Sequence, residues 1–147
     1  MTVEPADELY QTIRLYVQCS APRGQEGDTG EPSIQYQLNA LRARAEEITH
    51  GAIREYIDED RGIAETPWEE RRGLQSLANE AEAGDLVMIY DARRLARPLS
   101  RLAGRLRMFQ QLRVDVLFLR AVGMVAKFDF SSGGPATAFA STVVSVL

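Results

Sequence analysis

The chain has 147 residues, of which 45% are hydrophobic, so it can form one compact domain with a core but not two ordinary ones. Its formal net charge of −4 excludes a uniformly basic surface, so any nucleic-acid-binding surface has to be local. The single cysteine, Cys19, excludes an internal disulfide, and no stretch of signal-peptide or membrane-span length precedes the acidic start, which predicts a cytoplasmic protein with no membrane partner.

The first predicted element is a strand at "TIRLYVQC" (12–19), where polar and apolar residues alternate. The alternation puts Gln18 and Ser20 on one face and Cys19 on the other. A loop rich in glycine and proline then leads to Ser33, a typical N-cap residue, which begins a helix over "IQYQLNALRARAEEI". Residues 1–10 are expected to form a flexible N-terminus.

The middle of the chain continues the alternation of strands and helices. A second strand is predicted at "AIREYIDED" (52–60), and Pro67 begins a helix that runs to about Ala83. The apolar run "DLVMIYD" (85–91) is typical of a central strand that is covered on both faces.

A helix that begins at Pro98 and a strand at "VDVLFL" (114–119) complete the pattern. Strands that alternate with helices predict an α/β domain with right-handed crossovers and a mostly parallel sheet.

The carboxyl ends of these strands carry the residues that could perform chemistry. In open α/β sheets, binding and active sites lie beyond the carboxyl ends of the strands, where both Ser20 and the segment after Asp91 are expected. The segment "ARRLARPLSRLAGRLR" (92–107) has six arginines and no acidic residue, so it supplies a local basic surface. Arg71 and Arg72 lie in the first turns of a predicted helix, where the helix dipole disfavours positive charge, which indicates an anionic ligand.

The remaining residue types narrow the chemistry. The one histidine, His50, is predicted to be a surface residue, and the sequence has neither a Cys/His cluster with metal spacing nor a glycine-rich phosphate loop. We therefore expect no metal, no cofactor and no small-molecule substrate. A serine with several arginines suits phosphoryl chemistry on a polyanion, because a guanidinium pairs bidentately with phosphate oxygens. The alternatives are that Ser20 is a turn or cap residue and that the arginines from 97 to 105 form an ordinary solvated helix face.

Five segments stand in order along the chain: "YVQCS" (16–20), "SIQYQLNAL" (33–41), "ERRGLQSL" (70–77), "GDLVMIYDARRLAR" (84–97) and "FDF" (128–130). Together they resemble the catalytic domain of the serine recombinases, the family of resolvases, invertases and large serine integrases. The resemblance implies a single resolvase-like three-layer domain over residues 1–147. Its central sheet would be mostly parallel with an antiparallel edge strand, a long C-terminal helix would begin near Ala136, and the C-terminal DNA-binding part would be absent.

The resemblance also assigns roles to residues at the predicted site. It implies that Ser20 attacks a DNA phosphodiester and forms a covalent phosphoserine link, and that three arginines bind the scissile phosphate, namely Arg71, Arg94 and Arg97. Substrate-positioning roles fall on Gln18, Gln37 and Arg93, and contacts to the DNA backbone fall on Arg72 and Arg101. The implied partner is DNA, bound by a homodimer that forms a tetramer in synapsis.

Two residues depart from the family pattern and leave two functions open. Gln18 stands where an arginine is expected, and Arg93 stands where an aspartate is expected. Gln18 can donate hydrogen bonds but carries no charge to oppose a phosphorane. The first function is therefore a site-specific DNA recombinase, and the second is a recombinase-like domain that has lost activity and acts as a DNA-associated or dimerising regulator. An unrelated flavodoxin-like or receiver-like module is disfavoured, because arginines follow the strand at 85–91 where receivers have an acidic pocket.

Overall fold

The computed structural model describes residues 10–20, 31–49, 51–59, 67–96, 99–121 and 126–132. The predictions for residues 1–9, His50, Arg97 and the helix from about residue 136 lie outside these ranges.

Within the described ranges the chain forms five strands and three α-helices. In chain order they are β1 (Thr12–Cys19), α1 (Ile34–Ile48), β2 (Ala52–Glu59), α2 (Arg72–Glu80), β3 (Leu86–Ile89), α3 (Leu102–Leu112), β4 (Asp115–Phe118) and β5 (Lys127–Phe128). Short 3-10 turns occur at Trp68–Glu70, Ala92–Arg94, Leu99–Arg101 and Phe130–Ser132.

The strands form one sheet in the order β2-β1-β3-β4-β5. The first four are parallel to their neighbours, and β5 runs antiparallel to β4 at the edge. The prediction of an α/β domain with a mostly parallel sheet and an antiparallel edge strand is therefore confirmed.

The alternation along β1 divides the core between the two faces of the sheet. One face packs against α1 through residues that include Ile13, Leu15 and Leu41. The other face packs against α2 and α3, and Tyr16 belongs to this second cluster. Helices therefore cover both sides, which gives the expected three layers.

The helix predicted from Pro67 to Ala83 is shorter than expected. A 3-10 turn occupies Trp68–Glu70, and α2 ends at Glu80. The backbone is already extended at Ala81, the C-cap of α2. Beyond it, Asp85 accepts a hydrogen bond from the backbone N–H of Glu82 at 2.8 Å, and Gly84 has a φ of 94°, in the left-handed region that glycine favours.

The helix predicted from Pro98 also begins later. Leu99–Arg101 form a 3-10 turn, and α3 begins at Leu102. Arg101 precedes α3 in a right-handed helical conformation with no side-chain cap, so the first turn is a tightened continuation of the helix.

The sheet places three strand ends beside one another. β1 lies between β2 and β3, and Gln18 is in register with Asp58 of β2. The carboxyl ends of β1, β2 and β3 therefore lie side by side at one end of the sheet. No helix in the described part of the chain is long and apolar enough to cross a membrane.

Candidate active site

Ser20 and Gln18 are joined at the carboxyl end of β1. Gln18 is completely buried, and its side-chain Nε2 donates a hydrogen bond of 2.8 Å to the Oγ of Ser20. Both side chains leave the strand on the same face, as the alternation predicted. A donor aimed at this hydroxyl oxygen favours negative charge on it, although an amide cannot remove its proton.

Arg94 approaches the same point from the segment that follows β3. It lies in the 3-10 turn Ala92–Arg94 and is only 2% exposed. Its Nη1 donates to both the backbone oxygen and the side-chain Oε1 of Gln18, each at 3.2 Å. Its Nε donates at 3.1 Å to Oδ1 of Asp91, the oxygen that also caps the turn through the N–H of Arg93. The sheet thus brings Arg94 to the serine across 74 positions of sequence.

A carboxylate that the sequence did not predict lies between Ser20 and Arg94. Oε1 and Oε2 of Glu31 each lie 3.2 Å from the backbone nitrogen of Ser20, and Oε1 lies 3.1 Å from Nη1 of Arg94. The thiol of Cys19 donates to Oε2 at 3.7 Å. The Glu31 side chain is only 9% exposed, so this is a largely buried ion pair. Glu31 follows a stretch of sequence rich in glycine and proline, where no hydrophobic periodicity could have indicated its position.

Gln37 of α1 fastens the helix to the end of β1. Its Nε2 donates to the backbone oxygens of Gln18 at 2.8 Å and Pro32 at 3.0 Å, and its Oε1 accepts from the backbone N–H of Gln18 at 3.3 Å. It is completely buried. Gln37, which the sequence predicted as a substrate-positioning residue, therefore lies next to the site and binds the backbone of Gln18.

Arg71 lies behind Arg94 as part of a buried network. It has no solvent exposure, and its Nη1 donates to the backbone oxygen of Arg94 at 3.0 Å and to the Tyr16 hydroxyl at 3.3 Å. The Tyr16 hydroxyl in turn donates to Oδ2 of Asp58 at 2.7 Å. Burial raises the pKa of Tyr16 far above its usual value, so this hydroxyl remains protonated.

Asp58 is a second residue that the sequence did not predict. Besides accepting from Tyr16, it accepts from the backbone N–H groups of Gly73 at 2.8 Å and Leu74 at 3.0 Å, in the first turn of α2. Asp58 could have been found from the sequence, because it lies near the carboxyl end of the predicted second strand, where sites of α/β sheets form. In the structure it is in register with Gln18.

The arginines after β3 do not form one continuous exposed surface. Arg94 and Arg105 are buried, whereas Arg93 and Arg101 are exposed, as is Arg72 at the start of α2. The pKa of Arg105 is lowered mainly by burial and secondly by the positive charge of Arg71. A solvated helix face therefore describes Arg101 but is wrong for Arg105.

The site thus combines one hydroxyl with amide and guanidinium donors. Of the predicted residues, Ser20, Gln37 and Arg94 each contact Gln18, and Arg71 reaches this group through the Arg94 carbonyl. Across the described ranges, no group of three or more His, Cys, Asp or Glu residues is placed to hold a metal ion. This set of donors suits an anionic substrate with tetrahedral oxygens, such as a phosphate.

Ser20 directly follows an inner parallel strand and lies near the buried Arg94. This arrangement is the one expected of a serine recombinase catalytic domain. Residues 15–141 match the family model described as the resolvase N-terminal domain. Since the match covers most of the chain, the protein belongs to the resolvase N-terminal domain family, the catalytic domain of the serine recombinases.

A solved structure with the same fold is the N-terminal catalytic domain of TP901-1 integrase. The two agree with a TM-score of 0.66 over 92% of this chain and 93% of that one, at 22% sequence identity. Curated proteins give no significant sequence match to this chain.

Proposed function

We propose that this domain cuts and rejoins DNA at specific sites through a covalent bond between Ser20 and a DNA phosphate. The observation that supports this function most directly is the contact of Ser20 with Gln18, which Arg94 also contacts at the carboxyl end of β1. A hydroxyl, a neutral donor and a guanidinium are thus joined in one set of hydrogen bonds, which supports their joint action on one phosphate.

The proposed reaction is a displacement at phosphorus. A bond forms between Ser20 Oγ and the phosphorus while the bond from the phosphorus to a sugar oxygen breaks, and the proton lost by the Ser20 hydroxyl ends on the departing sugar oxygen. A sugar hydroxyl then attacks the phosphorus of the phosphoserine, the bond from the phosphorus to Ser20 Oγ breaks, and the proton of the attacking hydroxyl returns to Ser20 as the strand is resealed. Each step exchanges one phosphate ester for another, so the cycle needs no nucleotide as an energy source.

Charge develops on the phosphate oxygens during both steps. Gln18 Nε2 contacts Ser20 and the Arg94 guanidinium contacts Gln18, so both are proposed to bind these oxygens, and donors fixed in a buried site cost little reorganisation. The sequence predicts that Arg71 binds the scissile phosphate, but we propose a positioning role instead, because Arg71 is fully buried and its Nη1 donates to the backbone oxygen of Arg94.

Two exposed arginines are proposed to bind the DNA backbone. These are Arg72 and Arg101, which are exposed to solvent, whereas Arg94 is buried; the exposed Arg93 is proposed to position the substrate. Arg97, which lies outside the described ranges, is proposed as a further phosphate ligand. The DNA partner would be bound by a dimer, and two dimers would form the tetramer in which strands are exchanged.

The test is a trap for the covalent intermediate. The full-length protein is incubated with a pool of supercoiled plasmids that carry cloned genomic fragments, the reaction is stopped with denaturant, and protein-linked DNA is recovered and sequenced. We expect linked DNA for the wild type and for Ser76→Ala, which changes an exposed serine of α2, but none for Ser20→Ala. Equal linkage in Ser20→Ala would show that another group is the nucleophile.

A second function is favoured by one specific observation, the buried neutral Gln18 beside the serine. If the domain has lost catalysis and serves as a DNA-associated or dimerising regulator, the wild type forms no linked DNA. Gln18→Arg is the decisive variant. Linkage in Gln18→Arg combined with none in the wild type would favour the regulator and refute the active recombinase.

A further inference from the structure

We infer that the Glu31 carboxylate occupies the subsite of the scissile phosphate and blocks it until DNA displaces the carboxylate. The inference deepens the proposed function and rests on it, since it concerns the regulation of the same site. It is carried by the position of one largely buried anion between the nucleophilic residue and the arginine.

The contacts of Glu31 are those that a phosphate under attack would need. Its two oxygens lie equally far, 3.2 Å, from the backbone nitrogen of Ser20, and Oε1 lies 3.1 Å from Nη1 of Arg94. Carboxylate and phosphate oxygens accept the same charge-assisted hydrogen bonds from backbone N–H and guanidinium groups. The carboxylate therefore uses donors that a non-bridging phosphate oxygen would use.

The charges make simultaneous occupancy unfavourable. Arg94 is 2% exposed and already pairs with two carboxylates, those of Glu31 and Asp91. A phosphate close enough to Ser20 for attack would lie beside the Glu31 carboxylate, and two like charges at such a distance in a buried site repel strongly. Binding of DNA therefore requires that Glu31 withdraw.

Withdrawal of Glu31 leaves α1 in place. Glu31 lies two residues before Ser33, the N-cap whose Oγ accepts from the backbone N–H of Tyr36 at 3.0 Å. Gln37 separately fastens α1 to the backbone of Gln18. The carboxylate can thus leave while the groups that orient Gln18 and Ser20 keep their contacts.

The direct test measures the binding of inorganic phosphate. Glu31→Gln keeps the size of the side chain and removes its charge, and Glu47→Gln, on the exposed face of α1, is the matched control. Phosphate is titrated while the NMR signal of the Arg94 side-chain N–H is followed. Loss of one charged hydrogen-bonding competitor should tighten phosphate binding by about tenfold or more in Glu31→Gln, with no change in Glu47→Gln.

Two outcomes of this titration overturn the inference. One is an affinity for phosphate in Glu31→Gln that equals or falls below that of the wild type. The other is failure of both Glu31→Gln and Glu31→Ala to fold, measured by circular dichroism, because a carboxylate that the fold requires cannot be displaced by DNA.

The covalent trap separates this inference from the proposed function. We expect Glu31→Gln to form several times more linked DNA than the wild type at limiting DNA, because an uncharged side chain competes less strongly with phosphate for the subsite. A lower yield would overturn the blocking role. If no variant forms linked DNA while Glu31→Gln binds phosphate more tightly, the proposed catalysis is refuted and the assignment of the subsite stands.

Discussion

At the scale of single residues, Gln18 connects most of the groups in the site. Its backbone N–H and carbonyl both bond to Gln37, its Nε2 donates to Ser20, and its Oε1 accepts from Arg94. Because the Gln18 side chain is completely buried, its loss would remove one hydrogen bond from Ser20 and one from Arg94 at a largely buried site. Gln18 therefore contributes both to the stability of the fold and to the position of the serine.

Replacing Gln18 should reveal both contributions. Gln18→Met keeps the volume of the side chain but removes both side-chain hydrogen bonds, so we expect the free energy of unfolding to fall by about 1–3 kcal/mol. Loss of the donor to Ser20 should also lower the rate of DNA linkage by roughly 10²- to 10³-fold. Urea unfolding and the covalent trap measure the two effects.

Gln35→Met is the control for this variant, since Gln35 is exposed on α1 and bonds only locally to Asn39 at 2.8 Å. An unfolding free energy for Gln18→Met within error of Gln35→Met would contradict the structural role of Gln18.

The sequence predicted some of these residues for clear physical reasons. Strand alternation put Ser20 and Gln18 on one face, and the rule that parallel strands end at a common edge brought Arg94 to them. Neither principle could locate Glu31, because the glycine- and proline-rich sequence before it shows no hydrophobic periodicity. The burial of Arg105 was equally hidden, since spacing along a helix does not say which neighbours cover each face.

At the scale of elements, the start of α2 is capped by a residue of another element. Arg71, the N-cap residue, makes no side-chain capping bond. Asp58 of β2 instead accepts from the N–H groups of Gly73 and Leu74, which are among those left without partners at a helix N-terminus. The cap therefore ties α2 to the end of β2 and fixes the position of Arg71.

Removal of this cap should loosen α2. We expect Asp58→Ala to lower the free energy of unfolding by about 1–3 kcal/mol, because two backbone donors and the Tyr16 hydroxyl lose their acceptor. Asp129→Ala, which breaks the surface ion pair of Asp129 with Lys127, should cost less than about 1 kcal/mol. Chemical denaturation of both variants measures the difference, and equal losses would show that the cap is not important.

The same junction explains a glycine in the "RRGL" segment. A Cβ on Gly73 would lie 2.7 Å from the backbone oxygen of Ile57 in β2, closer than any side chain tolerates. A Cβ on Gly104, in the first turn of α3, would meet no neighbouring atom within 4 Å in the described part of the chain. The close approach of α2 to β2 therefore requires glycine at 73, whereas α3 makes no such demand at 104.

The two glycines should respond to alanine in opposite directions. Gly73→Ala forces α2 away from β2 and should lower the free energy of unfolding by about 1–3 kcal/mol. Gly104→Ala should raise it by roughly 0.5–1 kcal/mol, because alanine is the better helix former. Thermal unfolding of both variants measures the signs. A neutral Gly73→Ala would mean that the junction is looser than its distances indicate.

At the scale of the whole molecule, buried hydroxyls are concentrated around the sheet. Tyr10 donates to Oδ2 of Asp115 at 2.7 Å, and Tyr16 and Tyr56 carry hydroxyls within networks that include Asp58 and Glu80. Burial raises the pKa of Tyr10 to about 12, and burial also raises the pKa of Tyr16, Tyr56 and Tyr90. The folded state thus holds these protons more tightly than the unfolded chain does.

This difference predicts a loss of stability in alkali. In the unfolded chain a tyrosine ionises at about pH 10. Above that pH the unfolded state therefore binds fewer protons than the folded state, and the free energy of unfolding falls as the pH rises. Each tyrosine that stays protonated only in the fold contributes a slope of up to about 1.4 kcal/mol per pH unit. The stability that Tyr10 provides is complete below about pH 10 and is lost as the pH rises to about 12.

Urea unfolding at a series of pH values, together with tyrosinate absorbance, tests this directly. The midpoint should fall steadily above about pH 10 while the absorbance of the folded protein lags behind that of the unfolded protein. Tyr10→Phe removes one ionisable group and its bond to Asp115, so the variant should begin less stable and lose stability less steeply. A slope for Tyr10→Phe as steep as that of the wild type would show that Tyr10 is ionised equally in both states. If the stability of the wild type does not change with pH above about pH 10, the other tyrosines around the sheet also ionise equally in both states. That outcome would contradict the protonated, hydrogen-bonded state of their hydroxyls in the fold.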